Sequence, residues 1–236
     1  MSHHESMARG ADSRMVDRML FFSDAVFAIV LTLLALDLRP PEGHEAVPTS
    51  VSDILLPIGN HLIVFIISFV LVGQWWLIHL RATRQLRDFD WPTAIANLVF
   101  LLGITLMPFV TTLLTSNFRS TPNLTVYWGE LFFTSASMTV LSLIMTRDHG
   151  RLIGGIDKRE RLWRATRSVI PGIAFLSGVI LALYDHLLLS ANCWVAIIPL
   201  RIIAGVVYRH TGKPVATDLP PQYAIDAPSV TKEGRD

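Results

Sequence analysis

An all-α integral membrane bundle of six helices is the fold class this sequence predicts, and three observations carry the expectation. Charged residues make up 17% of the 236 and hydrophobic ones 51%, against about 25% charged in an average soluble domain. Six apolar runs recur along the chain, bounded by proline, glycine or charge. At about 1.5 Å per residue each can cross a ~30 Å hydrocarbon core. Lysine and arginine fall one-sidedly between the connections, as the positive-inside rule requires of a multi-pass protein.

Residues 1–16 form a polar amino-terminal segment, and His3 and His4 belong to that chain end rather than to a metal site. Arg9, Arg14 and Arg18 ahead of a twelve-residue apolar core imitate a signal peptide. Asp24 lies inside the segment and no A-x-A-like site follows Leu36, so cleavage is not expected. The first helix spans about 17–38, and Pro40, Pro41 and Gly43 open a polar loop over 39–53. The second spans 54–80, with Pro57 tolerated in its first turn and Trp75-Trp76 near its end as an interfacial pair. Pro92 opens the third, over 92–115, and Pro108 interrupts its interior. The fourth covers 125–146, where Tyr127 and Trp128 are read as interfacial anchors, and 147–166 is the most basic loop. The fifth covers 167–189. The sixth, 192–208, is shorter and carries Arg201 mid-run. The tail over 210–236, rich in proline and charge, is read as disordered.

Seventeen lysines and arginines lie in the amino-terminal segment, the second-to-third and fourth-to-fifth loops and the tail, against Arg39 and Arg119 in the opposite loops. Both termini are therefore expected in the cytoplasm of a protein of the cell membrane. A formal net charge of +1 gives no reason to expect nucleic acid, and Cys193, the single cysteine, excludes an internal disulfide. His61 and His79 share a helix face but stand about 27 Å apart by residue count. His61 and His186 are the pair a haem or metal would use, yet interfacial histidines more often have polar partners. Asp185, His186 and Ser190 are catalytic types at a spacing that builds no triad. No Walker, H-E-x-x-H or Rossmann pattern occurs. The expectation is a protein that is not an enzyme and holds no metal or cofactor.

The stretch from Arg18 to Leu38 carries most of the information. At about 100° per residue, Arg18, Phe22, Ala25, Ile29, Leu33 and Leu36 align on one stripe, with Ser23 and Asp24 off it. Thr32 is the one polar residue between Ala25 and Leu36. A carboxylate at membrane depth is rarely kept without a partner or a water path. Taken alone, the stripe fits packing against lipid or another helix, and Ser23 and Asp24 fit a structural brace.

Arg18-x-x-x-Phe22-Ser23-Asp24 in the first helix, Trp76-x-x-His79 in the second, and Asn97-Leu98 with Pro108-Phe109 in the third resemble the signature of the transmembrane protein 175 family of endosomal and lysosomal potassium channels and their prokaryotic relatives. The motifs cover roughly the first half of the chain. The resemblance implies one six-helix channel unit, here 17–209, assembled as a homotetramer around four first helices. It implies a hydrophobic constriction at Ile29, Leu33 and Leu36 and a hydroxyl ring at Thr32 linked to potassium preference. It further implies a network of Arg18, Phe22, Ser23 and Asp24 with Trp76, His79 and Asn97 that braces the pore helix. No T-V-G-Y-G filter is present, so selection among potassium and other monovalent cations must come from side chains and be modest. The alternative is a cation- or proton-coupled carrier with Asp24 and His79 as relay groups.

Overall fold

The structure is a computed structural model that describes residues 3–36, 38, 50–84, 86, 90–117, 120–147, 152–153, 155–156 and 158–210. The predicted 210–236 tail beyond His210, and most of the 39–53 loop, lie outside the described residues. Among the described residues five helices are long and apolar: α1 His3–Leu36, α2 Val51–Thr83, α3 Trp91–Ser116, α4 Thr121–Met145 and α5 Lys158–Leu183. The expected sixth span is not one helix. It is a five-residue α6, Leu187–Ala191, a 3-10 turn at Cys193–Ala196, and α7, Ile197–His210. The 14 residues of α7 rise only about 21 Å, short of a ~30 Å core.

Helix limits follow the local chemistry. Asp90 caps α3, accepting from the Thr93 amide at 3.0 Å, with proline in the first turn. Ser120 caps α4 in the same way. α1 begins at His3 rather than near Asp17: once the apolar part has nucleated, adding polar turns requires no second nucleus. α5 starts nine residues before the expected Arg167, because its basic first turns are helical and Glu160 pairs with Arg164 at 2.8 Å. It also ends six residues early. Asp185 takes φ 59, and the His186 amide donates to Leu181 O and the Asp185 amide to Ala182 O, both at 2.9 Å. That is a Schellman termination in which aspartate stands where glycine is usual.

α4 is the central helix, packed most extensively against α3 and α5, while the packing of α1 within the chain is on α2 and α3. Tyr127 and Trp128 are not interfacial anchors as expected. Both are buried, Tyr127 hydrogen-bonded to Ser68 at 3.1 Å and Trp128 stacked on Phe175 at 5.9 Å. Trp75 is buried as well, edge-on to Phe175. Amphipathic rings near a span's end pack inward when a neighbouring helix offers a ring or a hydroxyl partner.

Gly103 allows α3 and α4 their close approach, since a Cβ there would stand 2.1 Å from Thr134 Oγ1. Gly103→Ala is expected to lower stability by about 1–3 kcal/mol, the usual range for overpacking. Gly129 has nothing within 4 Å of such a Cβ, so Gly129→Ala should be neutral or gain up to about 1 kcal/mol of helix propensity. Thermal melting of both variants in detergent checks the contrast, and equal melting temperatures would contradict it.

Candidate functional site at the first helix

α1 has two faces set by its own spacing. Val16, Ser23, Phe27, Val30 and Leu34 are buried, at intervals that keep them on one side of a helix. The other side is open: Ile29, Leu33 and Leu36 are 57%, 42% and 65% exposed, and Ala25 and Thr32 are exposed beside them, with Ala28 exposed further round toward Asp24. An apolar arc this wide on a spanning helix faces lipid or other copies of the chain. Among the described residues no helix of the same chain covers the stripe. Thr32 lies within the arc, and its hydroxyl donates to the Ile29 carbonyl at 2.7 Å. The hydroxyl proton is thus used internally, and the oxygen lone pairs are left outward.

On the buried side a chain of polar bonds joins three helices. His79 of α2 meets Asn97 Oδ1 of α3 at 2.8 Å. Asn97 Nδ2 donates to Ser23 Oγ at 3.0 Å, and Ser23 Oγ donates to the Met19 carbonyl at 2.9 Å. The single serine proton goes to Met19, so Ser23 must accept from Asn97. The asparagine oxygen then faces the histidine, and Nε2 of His79 is the protonated nitrogen. His79 stacks on Phe100 at 5.6 Å, and Phe27 touches both rings. Thr83 Oγ1 donates to the His79 carbonyl at 2.8 Å. Ser23, His79 and Asn97 are all buried, so every member of this chain loses water on folding and needs its partner.

Asp24 lies beside this chain but not in it. Its Oδ1 accepts from Trp76 Nε1 at 2.9 Å, at an exposed position. Asp24 and His79, the pair of the carrier alternative, therefore sit in separate hydrogen-bonded sets. Of the residues expected to brace the first helix, Ser23, Asn97 and His79 are bonded in one set and Asp24 and Trp76 in another. Arg18 and Phe22 are exposed on α1, and no bond from Arg18 to either set is found among the described residues. Phe22 lines up with the open arc rather than with the buried bonds.

Glu130 was not singled out in the sequence. It is a buried carboxyl within α4 that accepts from Thr134 Oγ1 and has its second oxygen without a partner among the described residues. The available signal was one acidic residue inside an apolar run, with threonine four residues on. Among the described residues no group of three or more His, Cys, Asp or Glu is arranged to hold a metal ion.

Residues 18–108 match the family described as endosomal/lysosomal potassium channel TMEM175. The chain is 31% identical over 134 residues to a potassium channel of Chryseobacterium sp. (strain P1-3), covering 56% of this chain and 66% of that protein. It is 27% identical over 109 residues to the endosomal/lysosomal proton channel TMEM175 of Gallus gallus, covering 45% of this chain and 21% of that one. The chain thus spans less than two thirds of either relative's length. The fold resembles the crystal structure of a lysosomal potassium-selective channel TMEM175 homologue from Chamaesiphon minutus, with TM-score 0.66, 24% identity, and 81% of this chain and 98% of that chain covered.

Proposed function

This chain belongs to the TMEM175 family, and from that premise we propose that it is a potassium-permeable channel of the cell membrane. Four copies assemble with α1 of each lining the pore and with both termini in the cytoplasm. Ile29, Leu33 and Leu36 form its apolar constriction, and Thr32 contributes a ring of oxygens. One chain has one such helix, so a closed pore requires symmetry. A single observation carries this reading: the arc of α1 that holds Ile29, Thr32, Leu33 and Leu36 is the face left uncovered among the described residues. The Ser23–Asn97–His79 bonds support it by fixing α1 against α2 and α3 from behind.

Purified full-length protein in liposomes is expected to pass potassium down its gradient faster than sodium. Absence of flux in either gradient would overturn the proposal, and flux strictly coupled to protons would replace it with the carrier. Thr32→Val removes the outward oxygen while nearly conserving shape. Under potassium/sodium bi-ionic conditions its reversal potential is expected to move toward zero, with current retained. An unchanged potential would remove Thr32 from selection.

A further inference from the structure

Where α2 ends and α5 begins, a cavity of about 190 Å³ opens between α2, α4 and α5. Its lining brings Arg81 of α2 together with Arg164 and Arg167 of α5, beside an apolar wall that includes Ile78, Met138 and Trp163. Arg164 is paired with Glu160, also in the lining, at 2.8 Å. Arg81 and Arg167 therefore leave the cavity with an excess of positive charge.

α7 adds a further cation. Its position against α5 is held by Tyr208, whose ring stacks on Trp163 at 4.5 Å and lies 4.3 Å beneath the Arg159 guanidinium. Arg159 also donates to the Tyr208 carbonyl. Antiparallel packing from that contact brings Arg201 toward Arg167, and Arg201 lies within electrostatic reach of both Arg167 and Arg81. It is half-buried, and its Nε and Nη2 have no hydrogen-bond partner among the described residues. Buried guanidinium donors without acceptors are costly, and like charges brought together add to that cost. A sequence gains nothing by converging these arginines unless an anion completes them.

We propose that this cavity binds the phosphate headgroup of an anionic phospholipid, with the Arg201 charge adding to its positive field. The guanidinium fork matches phosphate oxygens two at a time, and the apolar wall of Ile78, Met138 and Trp163 suits the glycerol and first acyl carbons. Location favours a lipid over a soluble phosphate. Arg81 lies in the last turn of α2, and Arg164 and Arg167 lie early in the apolar part of α5. This is the end of the bundle that the basic loops assign to the cytoplasmic leaflet, where anionic lipids attract arginine clusters.

The test uses delipidated full-length protein in detergent, titrated with phosphatidylglycerol or phosphatidylcholine and read by native mass spectrometry and thermal shift. Wild type is expected to retain and be stabilised by phosphatidylglycerol over phosphatidylcholine. Arg81→Gln with Arg167→Gln should weaken phosphatidylglycerol binding about tenfold or more, and Arg84→Gln, at the exposed helix end outside the cavity, should leave it unchanged. Arg201→Gln guards against a folding failure of the double variant. It removes the like-charged guanidinium with its unpartnered Nε and Nη2 and leaves a shorter, neutral amide, so it should melt no lower than wild type without lipid and gain less from phosphatidylglycerol. Equal retention of the two lipids by wild type would overturn the site, as would undiminished binding by the double variant or an equal loss in Arg84→Gln. Stabilisation by inorganic phosphate as large as by phosphatidylglycerol would overturn the lipid as the occupant. None of these readouts depends on ion flux, so they stand or fall apart from the channel proposal.

Discussion

Ile29→Asn should raise ion flux several-fold while the protein folds and assembles as wild type does. Ile29 is more than half exposed and lies opposite the buried Phe27, Val30 and Leu34, so an amide there disturbs no packing within the chain. If four copies ring an axis, the substitution replaces an apolar throat with four groups able to stand in for hydration water. A narrow apolar constriction blocks ions because it cannot replace their hydration shell, and polar side chains remove that barrier. Ala28→Asn is the control. Ala28 is also exposed, but it lies about 100° around the helix, toward Asp24. Leu34→Asn, on the buried side, should instead lower stability, by the roughly 1–3 kcal/mol lost when a buried polar group has no partner. Liposome flux and size-exclusion profiles of the three variants check the pattern. Equal flux from Ile29→Asn and Ala28→Asn would mean that the stripe faces lipid and lines no pore.

Much of this site is legible in the chain because helical spacing and bilayer cost act locally. The interval from Ser23 through Phe27 and Val30 to Leu34 divides α1 into two faces before any neighbour is known. A serine, a histidine and an asparagine inside apolar runs each need a partner, so the joining of Ser23, His79 and Asn97 follows from the cost of leaving them unpaired. The exposure of Arg18 and Phe22 does not follow in that way. Their place in the signature identifies the helix without saying which residues of it make bonds.

What stayed hidden depends on termination and on partners distant in sequence. The early end of α5 turns on Asp185 at positive φ. Glycine would have marked that position, and aspartate, stabilised there by Thr121 Oγ1 at 2.9 Å, did not. The break between α6 and α7 likewise lies in an apolar stretch whose composition matches a continuous span. There Ser190 turns inward to donate to the Gly178 carbonyl at 2.8 Å, and Cys193 packs where Gly178 leaves room. Both contacts reach back to α5, and nothing within the segment announces them. Tyr127 and Trp128 are the same case, since aromatic residues near a span's end suit the interface equally well until a Ser68 or a Phe175 is placed beside them.

Asn97→Leu should cause the largest loss of stability among single changes in the brace, about 2–6 kcal/mol if both groups it serves stay buried and unpaired at about 1–3 kcal/mol each. Asn97 is the middle member of the set, bonded to both other side chains, accepting from His79 and donating to Ser23. Leucine fills similar space and satisfies neither. Asn97→Asp separates the two bonds: its carboxylate still accepts from His79, but it cannot donate to Ser23, so the loss should be smaller where the histidine is free to take up a proton. Asp24→Asn is the outer comparison. Its amide oxygen can still accept from Trp76 at this exposed position, so the change should be below about 1 kcal/mol, as for an ordinary exposed contact. Thermal melting in detergent ranks the three, with Asn97→Leu lowest, and size-exclusion reports whether α1 still assembles. The buried bonds would lose their role in fixing α1 if Asn97→Leu melted with Asp24→Asn and eluted as wild type. α1 would then be held in place by apolar packing, that of Phe27 against His79 and Phe100 together with the buried Val16, Val30 and Leu34.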